Sequence, residues 1–154
     1  MFLSRLSLLV SLLIFVGTSY AMSPEALEGK AFYAACDVCH NQEIDPPLGP
    51  PMWGVQRRYK NGTLDNEDFV DSMVDFVKAP EIEAVKHDEA FKQLGLMRPM
   101  PLPDDMLKNI SAYIMEETFP PPCDHWQIAV KRATERGDPE HAKKDQNMFN
   151  RYCK

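Results

Sequence analysis

Apolar positions along this chain recur at helical spacing, and nowhere do apolar and polar residues alternate over the length of a strand. The pattern predicts an all-α protein of five main helices. Ser23-Pro24-Glu25 opens the first, with a capping hydroxyl, a proline at the first helical position and an acid in the first turn. It carries Leu27, Ala31, Ala34 and Ala35 toward Cys36. Asp65 caps another, on which Phe69, Met73, Phe76 and Val77 fall on one face; Pro80 ends it. Glu81 to Leu94 reads as a further short polar helix with Gly95 just past its end. Asp104 and Asp105 suit the positive end of a helix whose apolar face is Ile110, Tyr113 and Ile114.

Between these lie segments that cannot be helix interior. Residues 41–54 hold two Pro-Pro pairs and read as a loop, Asn61-Gly62 as a turn, and 96–103, with three prolines, as extended chain. Pro120-Pro121-Pro122 is a stiff linker. Beyond it, Trp126, Ala129, Val130 and Ala133 form one stripe, Gly137-Asp138-Pro139 stops that helix and caps the next, and Ala142, Phe149 and Tyr152 give the second a partial stripe. Residues 120–154 are thus expected to be an αα-hairpin with a cysteine at each end. In an oxidising compartment a Cys123–Cys153 disulfide is expected, which stabilises by roughly 3–4 kcal/mol for a loop of that length.

The first 21 residues read as a secretory signal: Arg5, then the apolar run Leu6–Val16, then Ser19-Tyr20-Ala21 as a small-x-small cleavage site. The run falls short of the ~20 residues a membrane span needs, so cleavage after Ala21 is expected, with no stable membrane insertion afterwards. Removing it leaves 133 of the 154 residues, about one domain of chain, divided as 22–119 and the 120–154 hairpin.

The whole chain carries a formal charge of −6, and loss of the signal with its single arginine makes this −7. Such a chain is a poor ligand for nucleic acid. It suits transient docking by charge on a basic partner, and equally it suits mere solubility.

The candidate chemistry sits at Cys36-Asp37-Val38-Cys39-His40, a C-x-x-C-H spacing. Two thiols three residues apart followed at once by an imidazole match attachment of a c-type heme, with His40 as proximal iron ligand. A thioredoxin-like pair would not need His40, and a zinc site would want a second nearby pair, whereas Cys123 and Cys153 lie far away and thirty residues apart. A second iron ligand must come from His87, His125, His141 or a methionine. Arg57 and Arg58, close after Trp53, suit a propionate or a solvated face.

Here the chain resembles the class I cytochromes c. Met100-Pro101 lies some sixty residues after His40 and just before the Asp104 helix, as the Met-Pro pair does in that family. Gly49-Pro50-Pro51-Met52-Trp53-Gly54 is similar to the family's Gly-Pro-x-Leu-x-Gly segment. The resemblance covers about residues 27–115, with the hairpin outside it and Met97 as a rival to Met100. It implies a class I cytochrome c fold around one covalent heme c, attached by Cys36 and Cys39 and ligated by His40 and Met100. The Pro50 carbonyl would orient His40, and Gly29 and Phe32 would pack on Tyr113. It further implies a periplasmic one-electron carrier rather than an enzyme, serving redox partner proteins. A heme subunit docked on a periplasmic dehydrogenase or oxidase is the alternative, and a heme peroxidase or gas sensor a more distant one.

Overall fold

The computed structural model describes residues 21–154. The expected signal segment lies, apart from Ala21, outside the described residues. The described chain is all helical: α1 (Pro24–Phe32), α2 (Ala34–His40), α3 (Met52–Gly62), α4 (Asn66–Lys78), a 3-10 turn (Ile82–Ala84), α5 (Asp88–Leu94), α6 (Asp104–Glu116), α7 (Cys123–Glu135) and α8 (Pro139–Tyr152).

The frame is the crossing of α1 over α6. Ser23 caps α1 by accepting from the Ala26 amide at 3.1 Å. Its own amide and hydroxyl donate to the two Glu116 carboxylate oxygens at 2.8 and 2.7 Å, which ties the start of α1 to the end of α6. Gly29 lies at the crossing, where a Cβ would fall 2.7 Å from the Ile110 amide nitrogen and closer still to the Asn109 carbonyl. Only a residue without a side chain allows that approach.

This geometry overturns the expected face of the first helix. Leu27 is 58 % exposed, and Ala31, Ala34 and Ala35 are also exposed. The buried positions are Ala26 and Gly29, because closeness to α6 rewards the smallest side chains. The helix also breaks at Tyr33. As a result Tyr33, and not the exposed Phe32, meets Tyr113, edge-on at 5.1 Å between ring centres. Phe119 packs on the same pair.

Helix α3 replaces the end of the expected loop and the whole of the segment before the expected turn. The loop stops at Pro51, since a proline pair ahead of the first helical turn costs no hydrogen bond. Nothing after it breaks a helix until Asn61-Gly62, which ends α3. Met52, Gln56 and Tyr59 of α3 are buried. The Gln56 side-chain amide donates to the carbonyls of Ile114 (2.6 Å), Met115 (3.3 Å) and Glu117 (2.7 Å), groups at the end of α6 that have no helical partner.

Helix α4 buries Phe69 and Met73 as expected, with Val74 beside them, and α6 buries Ile110, Tyr113 and Ile114. Phe69, Met73, Ile110, Tyr113 and Ile114 make one core with Met52 and Tyr59. Burying a side chain of this size contributes roughly 1.5–3 kcal/mol. Gly95, at φ 79°, ends α5 in the left-handed region open to glycine.

Beyond the prolines, α7 and α8 pack on each other as an antiparallel pair. Trp126 and Ala133 are buried, and Asp138 caps α8 by accepting from the His141 amide at 3.0 Å. Cys123 and Cys153 lie at disulfide distance with Cα atoms 5.8 Å apart, closing the hairpin as expected. Among the described residues no helix is long and apolar enough to cross a membrane.

Candidate heme site

Helix α2 ends at His40, so Cys36, Cys39 and His40 occupy its last turn and a half. The two thiols do not pair with each other. Burial pushes the Cys36 thiol up to about 11, with Asp37 adding to the rise. This thiol is therefore protonated at neutral pH.

The His40 Nδ1 lies 2.7 Å from the Pro50 carbonyl oxygen. A carbonyl can only accept, so Nδ1 carries the hydrogen and Nε2 keeps its lone pair. Burial lowers the affinity of the ring for a second proton, and the bond to Pro50 opposes this only in part. His40 thus presents a neutral, oriented imidazole, the form that binds metal. Gly49 makes room for it: a Cβ there would lie 2.9 Å from the Cys39 carbonyl and 3.3 Å from the His40 ring.

These groups line a cavity of about 590 Å³, within the ~300–1,000 Å³ of small-molecule sites. Cys36, Cys39, His40 and Met100 all border it, together with Met97. Most of its wall is apolar, supplied by α3, α4 and the chain before α6, with Tyr59, Met73 and Phe76 among the larger side chains. Met100 is fixed through its backbone: its amide donates to the Val77 carbonyl at 3.0 Å, and its carbonyl accepts from Leu102 at 2.9 Å. Val38, Leu48, Leu94 and Leu96 stand at 38–63 % exposure around the cavity. No residue of the hairpin borders it.

The donor set and the cavity fit a covalently held heme. Two free thiols and a neutral imidazole lie along one side, two thioethers are available, and the apolar wall would exclude water. Arg58 and Lys86 also border the cavity and are suited to neutralise propionates.

Three residues lie where the sequence pattern did not put them. His87, one of the candidates for the second iron ligand and part of the expected short polar helix, is half-buried. It caps α5 by accepting from the Ala90 amide at 3.4 Å, and it borders the same cavity beside Arg58. Burial first, then the Arg58 charge, pulls its pKa down to about 4. Trp53 turns away from the cavity onto the hairpin, edge-on to Trp126 (5.3 Å) and Tyr152 (5.0 Å). Arg57 stacks on Trp53 at 4.7 Å and donates to the Tyr152 hydroxyl at 3.0 Å. The one available signal was Gly54. Glycine inside an otherwise good helix often marks a close neighbour, and here a Cβ would meet the His87 ring at 3.5 Å.

Comparison with family models, with curated proteins and with solved structures returns no match.

Proposed function

We propose that the chain is an exported, periplasmic one-electron carrier that holds a single covalent heme c between His40 and Met100. One observation carries this reading above the rest: the C-x-x-C-H turn and Met100, sixty residues apart, border one apolar cavity of heme-like size. Heme bound there supplies the one-electron chemistry.

The protein's own part is attachment, ligation and exclusion of water. Cys36 and Cys39 offer the two thiols for thioether bonds. His40 offers Nε2, held by the Pro50 carbonyl. Met100 offers a soft neutral thioether, and His/Met ligation raises the potential of iron relative to two imidazoles. Pro99 and Pro101 stiffen the backbone on both sides of Met100, and the bond to the Val77 carbonyl anchors it. Little movement of ligands with charge state favours fast electron transfer. No residue is assigned an acid–base or nucleophilic role, so the reading is of a carrier and not an enzyme. Redox partners dock transiently, and the acidic body favours a basic partner surface.

The test is the absorption spectrum of the oxidised, heme-loaded protein beside Met100→Ala and Met97→Ala. The weak long-wavelength band of sulfur-to-ferric-iron coordination is expected in the parent, lost in Met100→Ala and kept in Met97→Ala. A parent without the band and with a high-spin spectrum overturns the reading and points to an open sixth position.

A further inference from the structure

Leu27, Ala31, Ala34 and Val38 stand four, three and four residues apart, the spacing at which apolar side chains line the seam between two packed helices. In the fold this seam has no partner. Ala26, Gly29, Tyr33 and Cys36 hold the inward side of α1 and α2, buried or half-buried. The four seam residues stand on the opposite side, with Leu27 at 58 % and Val38 at 63 % exposure. Pro24 and Ala35 on that side are exposed too, so both halves of the broken helix turn an apolar face outward, from the start of α1 to the C-x-x-C-H turn. Single apolar side chains are ordinary at a surface, whereas an unbroken apolar row along one helix side marks a place of contact.

Two features say what covers the row. The first is charge. Glu28 borders it on α1 and Asp37 on α2, with Glu25 a turn before Glu28. Among the described residues none of these three carboxylates is in an ion pair. Lys30, the one Lys or Arg of the two helices, is already paired with Glu117 at 3.7 Å. A helix that seats an apolar side here therefore meets carboxylates at its flanks, and Lys or Arg at its own flanking positions complement them. The second feature is position. Ala35 and Val38 also border the candidate heme cavity, so the row runs into the exposed rim of Leu48, Leu94 and Leu96.

A second copy of this chain does not fit the row. Packed on itself antiparallel about Ala31 and Ala34, the row sets Glu28 of each copy opposite Asp37 of the other, and each copy carries −6 overall. Packed on itself in parallel, it brings Ser23 and Gln42 to those two carboxylates and no cation.

We propose that the outward face of α1 and α2 is a docking seam for one amphipathic helix of a partner protein, apolar along its contact side and basic at both flanks. The row from Pro24 to Val38 offers that helix about 20 Å of length. Ala31, Ala34 and Ala35 let its backbone come close, as Ala26 and Gly29 do for α6 on the other side. That the partner is the electron donor or acceptor rests on the carrier reading; the seam itself does not.

The probe is a synthetic amphipathic helix with Leu and Ala along its contact side and Lys at both flanks, beside a twin with Glu at the flanks. The full chain, disulfide intact, is titrated by calorimetry, and hydrogen exchange reads which residues the peptide protects. The Lys peptide is expected to bind one to one and to slow exchange over residues 24–38, with the Glu twin bound far more weakly. Ala31→Glu and Leu27→Ala/Val38→Ala are each expected to weaken binding by about tenfold or more, one by burying a carboxylate and the other by loss of apolar contact. Leu64→Glu, at a residue 95 % exposed and off this face, leaves binding unchanged. Attraction of a basic peptide to an acidic body predicts the opposite for Ala31→Glu, because that variant adds a negative charge. All these substitutions lie at exposed positions, and unchanged dichroism shows that the fold is kept. Binding that Ala31→Glu strengthens or leaves alone, protection outside residues 24–38, equal binding of the Glu twin, or no binding overturns the seam. So does a dimer of the chain alone, seen by sedimentation, that Ala31→Glu dissolves. None of these readouts uses the sulfur-to-iron band, so the seam and the carrier reading fail separately.

Discussion

The ring of His40 is held by the backbone of Pro50, Nδ1 to carbonyl oxygen at 2.7 Å, across ten residues of loop. The contact does two things at once. It selects the tautomer with a free Nε2, and it closes the loop that leads from α2 into α3 against the motif that begins it. A metal ligand needs both a lone pair and a fixed direction, and the partner on its other nitrogen supplies them.

Gly49 is the position that permits this contact. Gly49→Ala places a Cβ 2.9 Å from the Cys39 carbonyl and 3.3 Å from the His40 ring, so the ring or the loop must shift. The expected cost is about 1–3 kcal/mol of stability with a weakened His40–Pro50 bond. Urea unfolding gives the first, and the NMR signal of the Nδ1 proton gives the second. An unchanged proton signal would mean that Gly49 is only a loop residue.

Gly29 tolerates less. The atoms that an added Cβ meets are the backbone of Asn109 and Ile110, which no rotamer change can move aside. Gly29→Ala should cost about 3 kcal/mol or more, at the top of the range for overpacking, and α1 should separate from α6. Thermal unfolding followed by dichroism measures it, with Leu27→Ala at the exposed side of the same helix as the near-neutral comparison.

Gln56 ends α6 from outside. Its replacement by Leu leaves the buried or half-buried carbonyls of Ile114, Met115 and Glu117 without this donor, at an expected cost of about 1–3 kcal/mol. Gln56→Glu should be worse at neutral pH, because an ionised carboxylate offers those carbonyls no hydrogen. Its carboxyl would have a raised pKa in the fold, so stability should return as pH falls and the group becomes protonated. Urea midpoints at neutral and acid pH test the reversal. A Glu variant that is no less stable than Leu at neutral pH would contradict it.

Reduction of the Cys123–Cys153 bond should act on the hairpin and spare the body. The chain-entropy model assigns the thirty-residue closure roughly 3–4 kcal/mol. Few side chains other than the Trp53, Trp126 and Tyr152 cluster and the Arg132–Asp45 and Lys144–Glu89 ion pairs hold α7 and α8 down. Hydrogen exchange of the reduced protein, or of Cys123→Ser/Cys153→Ser, is expected to speed up over residues 123–152 and to stay unchanged in α1 and α6. Equal acceleration in both would show that the hairpin is part of one cooperative unit.

Much of this fold is written in short-range chemistry. Ser23, Asp65 and Asp138 stop backbone amides from being left unpaired, so their helices begin where the residues stand. Gly95 and Gly137 adopt positive φ at helix ends for the reason that they lack a side chain. The start of α3 was obscured because its prolines belong equally well to a loop, and periodicity alone cannot say on which side of Pro51 a helix begins.

What the sequence determined by itself is therefore the set of pieces: helices and their caps, the C-x-x-C-H turn, and the two cysteines that bracket the hairpin. Each depends on neighbours within one or two turns or on the length of a loop. Tertiary structure alone decided which faces point inward. Close approach of α1 to α6 put Ala26 and Gly29 in the core and turned Leu27 out, and the same shift gave Tyr33 the place expected of Phe32. It also set Met100 along one cavity with His40, turned Trp53 to the hairpin, and drew His87 between Gly54 and Arg58. These outcomes depend on contacts between residues tens of positions apart. Burial, rather than local propensity, settles them, because a side chain goes wherever the whole fold leaves space for it.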